Sequence, residues 1–341
     1  MQNTLVHRRS KHSHRYRPYK PRKSRYVPRV IPKKIDGLTE LIGFIRSCRL
    51  CTSDVVRRLY AILPDLQALD AMVGLKEFKR KIVDHVFYYA QSLHEGDYMH
   101  TVLTGNPGTG KTEVAQILAR IFAGLGVLKG GGVKKVARCD LVGTYLGETA
   151  VKTTEVVTSA LDGVLFIDEA YSLGPLRENG DVDCYSKECM DTLNELLSVH
   201  RDRLLVIIAG YEEDLERSFF GQNPGMRSRF PWRHSLSDYE TAELASIFKK
   251  NVKDAGWTLS CDVDKLFKDV VFKDNGRDVA NLFARVKIAH SRRLFLSSLS
   301  KVKNDVPKEI NEADLKSGIA SFKEGREVSK DTETDVSHLY L

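Results

Sequence analysis

The stretch TVLTGNPGTGKT (residues 101–112) decides how the rest of the sequence is interpreted. It begins as a short apolar run of the kind buried in a parallel sheet, and residues 105–112 match G-x-x-x-x-G-K-[ST] in full. Gly105, Gly108 and Gly110 let successive backbone N–H groups converge on phosphate oxygens, and the following helix points its positive end at the same charge. The strand before it and the helical pattern after it indicate a phosphate-binding loop.

The loop predicts a nucleotide and a metal ion as cofactors. Lys111 should reach the β and γ phosphates of ATP, and the Thr112 hydroxyl should hold Mg²⁺. The predicted nucleotide-binding residues in the loop are Gly105, Asn106, Pro107, Gly108, Thr109, Gly110, Lys111 and Thr112.

A second apolar run, GVLFIDEA (163–170), ends in two acids. A parallel strand delivers the residues that follow it to the carboxyl edge of the sheet, where ligands bind. Asp168 is therefore predicted to hold the hydrated Mg²⁺, and Glu169 to orient and polarise the attacking water. This pairing favours hydrolysis over nucleotide storage.

Composition restricts the class of protein. Of the 341 residues, 42% are hydrophobic and 29% charged, and no apolar run of about 18 residues predicts a membrane span. No secretory signal is found and the six cysteines are scattered, so we expect a soluble intracellular protein, cytoplasmic or nuclear, with an organelle left open. Cys48 and Cys51 have the spacing of half a zinc site, but without a second pair we interpret them as packed or surface thiols.

Residues 1–35 form a basic tail. They contain 12 Lys and Arg and no Asp or Glu, which leaves 41 basic against 45 acidic residues in the remainder. The tail is rich in proline and cations and cannot bury enough surface to fold alone. We expect a disordered arm that is either only solvated or serves in localisation or in binding nucleic acid or another polyanion.

Periodicity divides the remainder of the chain. Residues 36–69 carry short helical patterns and form a helical lead-in. From 70 to 237, helical stretches alternate with buried strands at 101–105, 133–140, 163–170 and 203–211. This alternation predicts an α/β P-loop domain with a parallel sheet between helices. Residues 238–318 are helical throughout and predict a small all-α domain, and residues 319–341 are predicted to be a polar tail.

The motifs GNPGTGKT, DLVGTYLGETAVKT, GVLFIDEAYSL, IIAGY, NPGMRSRF and SDYE occur in this order. In this respect the chain resembles AAA+ ATPases of the CbxX/CfqX type, a branch that includes red-type Rubisco activases and SpoVK-like sporulation ATPases. The similarity covers roughly residues 70 to 300. It implies an AAA+ α/β domain followed by a helical lid domain.

The resemblance also implies roles for individual residues. Tyr145 and Leu146 match an aromatic and aliphatic pair that grips an extended polypeptide in the central pore of a ring, with Gly143 and Gly147 letting that loop move. A tyrosine packed against a neighbouring helix is the alternative. MVGL (72–75) resembles a segment that packs on the adenine, or it is plain core.

The cations in NPGMRSRF resemble an arginine finger that reaches the neighbouring subunit's site. We favour Arg229 for this role, with Arg227 as the second candidate and a surface salt bridge as the alternative for either. Arg277 matches a nucleotide-sensing arginine at the start of a lid helix. At the end of the fourth strand many AAA proteins have Asn, whereas this chain has Tyr211.

Three functions follow from these residues. The first is a ring-forming ATPase, by analogy a hexamer, that remodels a protein substrate by pulling it through a central pore; activation of Rubisco is one form of it. The second is a nucleic-acid-associated ATPase that uses the basic tail. The third, a scaffold that binds ATP and barely hydrolyses it, is disfavoured by Glu169 and Arg229.

Overall fold

The computed structural model describes residues 34–48, 53–130, 132–145, 147–174, 183–221, 223–298 and 307–336. The basic tail up to residue 33, Cys51 and Leu146 lie outside the described residues, so what the sequence predicts of them stays a prediction. Within the described ranges, no helix combines the length and the apolar character that crossing a membrane requires.

A parallel sheet lies at the centre of the larger domain. Its strands are β1 (Thr101–Gly105), β2 (Val133–Val136), β3 (Val164–Ile167), β4 (Leu205–Gly210) and β5 (Trp232–Leu236). Their order is β2-β3-β4-β1-β5, and every neighbouring pair is parallel. This order brings the carboxyl ends of β1, β3 and β4 side by side, and the predicted site residues follow these ends.

Two strands differ from the prediction. β2 ends at Val136, although the sequence predicts a strand over 133–140. The backbone turns there into the short helix α6 (Arg138–Leu141), because the Asp140 carboxylate accepts a hydrogen bond from Ala137 N at 2.8 Å. β5 is missing from the predicted strands. As an edge strand with partial burial, WRHSL lacks the continuous apolar run that reveals the other strands.

Helices cover both faces of the sheet. The layer on one face contains α1 (Leu38–Ser47), α2 (Asp54–Ala61), α3 (Leu63–Asp70), α4 (Lys76–Ala90) and α5 (Lys111–Gly124). Leu103, Phe166 and Ile207 belong to the core of this layer, and Val102, Leu165 and Ile208 to the core of the other. Because successive strand residues face opposite sides, both cores are built from the same strands.

The layer on the opposite face holds the loop with Tyr145. It contains α7 (Glu148–Ser159), α8 (Cys184–Val199), α9 (Glu212–Asp214) and α10 (Pro224–Arg229). A 3-10 turn (Ala170–Leu173) follows Glu169, and a π-helical turn (Leu215–Phe219) follows α9.

The smaller domain is mainly helical. Its elements are α11 (Thr241–Asp254), β6 (Thr258–Leu259), α12 (Val263–Phe267), α13 (Asn275–Ser298), β7 (Glu309–Ile310) and α14 (Glu312–Val336). The two short strands pair in parallel and add a small sheet to a domain predicted as all-α. Ile319 and Phe322 are buried in its core, so α14 packs beyond residue 318, where the sequence places the start of a polar tail.

Candidate functional site

The phosphate loop connects β1 to α5 in a conformation that depends on glycine. Gly110 precedes α5 in the left-handed region, with φ 90°, so the first N–H groups of the helix follow a sharp turn. The buried Thr109 hydroxyl donates to Asn106 O at 2.8 Å and fixes the loop from within. The open end of α5 therefore faces the carboxyl edge of the sheet.

Lys111 is the first residue of α5, and its side chain folds back onto the loop. Its Nζ donates to Gly105 O at 2.7 Å and to Asn106 O at 3.0 Å. Burial lowers the pKa of Lys111, the Glu169 and Asp168 carboxylates oppose this shift, and the charge of Arg277 adds to it. The charged residues predicted for the site thus lie close enough to act on one another.

Thr112 and Asp168 form an oxygen pair suited to a metal ion. The Thr112 hydroxyl lies 3.4 Å from Asp168 Oδ2. A hydroxyl and a carboxylate are the kind of ligands that Mg²⁺ prefers, so these side chains fit the predicted ion. Lys135 on β2, which the sequence did not single out, forms an ion pair with Asp168 at 2.7 Å. Its position on a strand adjacent to β3 is visible only once the sheet order is known.

Glu169 sits at a strained position beside two tyrosines. Its φ is 52°, a left-handed value that is uncommon outside glycine. Burial, followed by hydrogen bonding to the Glu169 side chain, raises the pKa of Tyr171, and the Tyr171 ring stacks on Tyr211 with centroids 5.7 Å apart. Tyr211 could be singled out from the sequence because it directly follows β4. No sequence feature distinguishes Tyr171 within the AYSL turn.

The smaller domain closes over the phosphate loop. Gly276 N donates to Gly108 O at 3.1 Å, and a Cβ on Gly108 would lie 2.1 Å from Asp274 O. Gly108 is therefore required by this close approach as well as by its φ of 72°. Arg277 follows in the first turn of α13.

Polar side chains complete this contact between the domains. Asn275, 2% exposed, donates to Pro107 O at 3.2 Å and to Asp238 at 2.8 Å. The Asp238 carboxylate also accepts from the Asn106 amide at 2.9 and 3.0 Å, and the Tyr239 hydroxyl donates to Thr109 O at 3.0 Å. Asp238, Tyr239 and Asn275 lie in the SDYE and NGR motifs, but the sequence does not predict that these motifs contact the phosphate loop.

The segment MVGL also reaches the loop. Met72 Cε would lie 3.2 Å from a Cβ on Gly110, so the side chain packs directly on the turn before α5. The sequence predicts that this segment either contacts adenine or is plain core. Met72, 7% exposed, belongs to the hydrophobic core beside the loop. Its contact with adenine stays a prediction.

The two candidate finger arginines lie in different surroundings. Arg229 Nε donates to Ser198 Oγ at 2.8 Å and its Nη1 to Gly225 O at 2.5 Å, so its guanidinium is bound within its own chain. The Arg227 side chain is 55% exposed and forms an ion pair with Glu216. Neither arrangement tests the finger role, but Arg227 is the more accessible of the two cations.

Tyr145 lies at the surface, on a turn that its own chain holds in shape. Its side chain is 75% exposed, and the packed alternative is therefore not what the structure shows. Glu148 Oε2 accepts hydrogen bonds from Thr144 N at 2.7 Å and Tyr145 N at 3.1 Å. A Cβ on Gly143 would come within 2.8 Å of Glu148 Cβ, so this glycine permits the turn to close on α7. Movement of the turn stays a prediction.

Comparison with known proteins agrees with this architecture. A model described as "ATPase family associated with various cellular activities (AAA)" matches residues 101–222, and an AAA lid domain matches residues 240–327. The solved structure of the FIGL-1 AAA domain in complex with ADP is similar in fold, with a TM-score of 0.55 at 18% identity, over 74% of this chain and 83% of that one.

Curated relatives share more of the sequence. A cfxQ-like protein of Acanthamoeba polyphaga mimivirus is 32% identical over 330 residues, which cover 91% of this chain and 79% of the relative. Protein CfxQ of Xanthobacter flavus is 39% identical over 67% of this chain and 75% of its own length. Stage V sporulation protein K of Bacillus subtilis is 33% identical over 70% and 78%. The chain therefore belongs to the CbxX-type AAA+ ATPases, enzymes that bind and hydrolyse ATP.

Proposed function

We propose that the chain forms a ring and uses ATP hydrolysis to remodel a protein substrate by pulling it through a central pore. The observation that carries this proposal is Tyr145, a large aromatic side chain with 75% of its surface exposed on a turn closed by Glu148. A tyrosine combines an apolar ring with a polar hydroxyl, so an exposed one on a turn of fixed shape is suited to contact a polypeptide partner. An extended polypeptide offers side chains that such a ring can grip.

ATP with Mg²⁺ is the proposed fuel. Lys111 binds the β and γ phosphates, and Thr112 and Asp168 supply oxygen ligands to the ion, which neutralises phosphate charge when bound. Glu169 orients the attacking water. Arg277, whose charge acts on Lys111, senses the nucleotide from the lid. These roles account for why the site residues converge at one edge of the sheet.

A neighbouring subunit completes the site in this proposal. AAA+ proteins typically assemble into rings, and a finger arginine from the next subunit is worth on the order of 10³ to 10⁵ in rate. The exposed Arg227 is available for this role without breaking a buried contact, whereas Arg229 has to leave Ser198. Of Arg227→Ala and Arg229→Ala, the variant that removes the finger should lower kcat by this factor. Mixing that variant with Lys111→Ala subunits, which keep the finger, should restore activity. A hexamer is the expected ring.

The test is a substrate trap. Glu169→Gln should bind ATP without completing hydrolysis, so a client bound in the ring should copurify with it in the presence of ATP. We expect Tyr145→Ala in the same background to lose that client and Tyr145→Phe to keep it. Val271→Ala is the control, because Val271 is also an exposed apolar side chain, 72% exposed, but belongs to the smaller domain.

Two outcomes would overturn the proposal. A client retained by Tyr145→Ala would exclude gripping by this ring. Nuclease-sensitive nucleic acid that is lost only on deleting residues 1–35 would instead favour the nucleic-acid-associated ATPase, a prediction that rests on the tail alone.

A further inference from the structure

Two tyrosines from distant parts of the sequence form a stack at the carboxyl edge of the sheet. Tyr171 lies in the 3-10 turn after β3, and Tyr211 follows β4 directly. Their ring centroids are 5.7 Å apart with an interplanar angle of 27°. Gly210 makes room for the stack, because a Cβ there would lie 3.0 Å from Tyr171 Cδ1.

The Tyr171 end of the stack contacts the proposed catalytic base. Tyr171 lies two residues after Glu169, in the turn that Glu169 precedes, and burial followed by hydrogen bonding to the Glu169 side chain raises the pKa of Tyr171. In this contact the phenol is the donor and the carboxylate the acceptor. Glu169 has a φ of 52°, which is uncommon for residues other than glycine. The Tyr171 phenol is in a position to hold the Glu169 carboxylate in one orientation.

The Tyr211 end of the stack contacts the phosphate-binding lysine. Lys111 Nζ lies 5.5 Å from the centroid of the Tyr211 ring, within the range of a cation–π interaction. The same ammonium donates to Gly105 O and Asn106 O. The base and the lysine are thus joined through two aromatic rings, at the strand end where many AAA proteins place a polar sensor.

We propose that Tyr171 is a positioning residue that orients the Glu169 carboxylate for water activation, and that Tyr211 holds Tyr171 in place against Lys111. The inference rests on the proposed role of Glu169. It gives Tyr211 a function that needs no contact between its hydroxyl and the γ-phosphate: the ring is a support.

The deciding experiment measures steady-state ATP hydrolysis by the full chain. Tyr171→Phe removes the hydroxyl and keeps the ring, so we expect kcat to fall about 10- to 100-fold, the range for losing a hydrogen bond to a charged group. KM for ATP should stay unchanged, because Tyr171 does not contact the proposed phosphate ligands. Tyr60→Phe, which removes a surface hydroxyl that donates to Arg46 O, is the matched control and should behave as the wild type.

A double mutant separates positioning from a structural role. If Tyr171 acts only through Glu169, then adding Tyr171→Phe to Glu169→Gln should not reduce the residual rate further. Tyr211→Leu should lower kcat as Tyr171→Phe does, and Tyr211→Phe, which keeps the stacked ring, should lower it less than Tyr211→Leu. The combination of Tyr211→Leu with Tyr171→Phe should be no worse than either change alone.

Distinct failures have distinct meanings. Hydrolysis that survives Glu169→Gln would remove the proposed base itself. Loss of hydrolysis in Glu169→Gln together with a wild-type kcat in Tyr171→Phe would overturn only the positioning role. A fall in kcat that is fully additive with Glu169→Gln, or a KM that rises in parallel, would also overturn it, because both indicate a general disturbance of the site.

Discussion

The phosphate loop and the Tyr145 turn have similar backbone geometry but accommodate different charges. Each is a short turn that enters a helix through a left-handed glycine, Gly110 with φ 90° before α5 and Gly147 with φ 85° before α7. The next residue is Lys111 in one and Glu148 in the other. This single difference in charge determines what the positive end of each helix can do.

In the Tyr145 turn the chain supplies its own anion. The Glu148 carboxylate accepts from two backbone N–H groups, and these hydrogen bonds lower its pKa. In the phosphate loop the first helical residue is Lys111, which adds a positive charge, and the first-turn acid Glu113 is exposed. The comparison teaches that the residue directly after the glycine decides whether the turn binds its own carboxylate or leaves its N–H groups open to an outside anion.

The largest effect should come from the cation of the phosphate loop. Lys111→Ala removes the donor proposed for the β and γ phosphates, and we expect kcat/KM for ATP to fall on the order of 10² to 10³. Nucleotide binding, measured by titration with a fluorescent ATP analogue, should weaken as well. A matching loss on Glu148→Ala would break the comparison, because it would mean that both turns serve the nucleotide.

Acid should destabilise the sheet that carries the phosphate loop more than it disturbs the Tyr145 turn. Burial lowers the pKa of His100, which precedes β1, and of His234 on β5, each to about 3. Because these pKa values are depressed on folding, the stability contribution is complete above the ordinary pKa of about 6.5 and is lost as pH falls below it. We expect roughly 2 kcal/mol per histidine to be lost between pH 7 and 5, as measured by urea unfolding.

The control is His234→Phe, which keeps a ring against Phe78 at 5.1 Å and removes an Nδ1 that has no hydrogen-bond partner among the described residues. This variant should lose less stability on acidification than the wild type. The Glu148 hydrogen bonds should persist in the same range, since the pKa of that carboxyl is already lowered. An equal pH slope in wild type and variant would contradict the assignment to His234.

The two glycines allow a matched test at nearly equal φ. Gly147→Ala has open space around its Cβ and should cost about 1 to 2 kcal/mol of backbone strain only. Gly110→Ala meets Met72 Cε at 3.2 Å in addition, so it should destabilise more and also weaken ATP binding. Unfolding and nucleotide titration of both variants provide the measurement. Weaker ATP binding in Gly147→Ala would be the unexpected result.

The smallest change concerns the acid that closes the Tyr145 turn. Glu148→Gln keeps a side-chain oxygen that can accept from Thr144 N and Tyr145 N, whereas Glu148→Ala does not. We expect Glu148→Ala to remodel the client identified by the trap more slowly than the wild type does. The loss should be smaller than in Tyr145→Ala, and ATP hydrolysis should stay near wild type. Equal remodelling by all these variants would show that the shape of the turn is irrelevant.

Much of the site could be predicted because its chemistry is local in sequence. The phosphate loop works through consecutive N–H groups, and Asp168 and Glu169 directly follow a strand whose apolar run is plain. The edge strand β5 escaped prediction because burial on one side leaves no continuous apolar run. The packing of Ile319 and Phe322 escaped because apolar residues on one face of α14 are hidden among many charges.

The sequence by itself determined the α/β P-loop domain, the phosphate loop and the acids beside it, since each is visible in residues that are neighbours along the chain. The order of its motifs indicated the AAA+ family. Only the tertiary structure decided that Tyr171 stacks on Tyr211, that Gly108 packs against Asp274, and that Arg229 is bound to Ser198. These contacts join residues from 31 to more than 100 positions apart. No local pattern encodes such a pairing, because it depends on the order of strands in the sheet and on how the lid meets the loop.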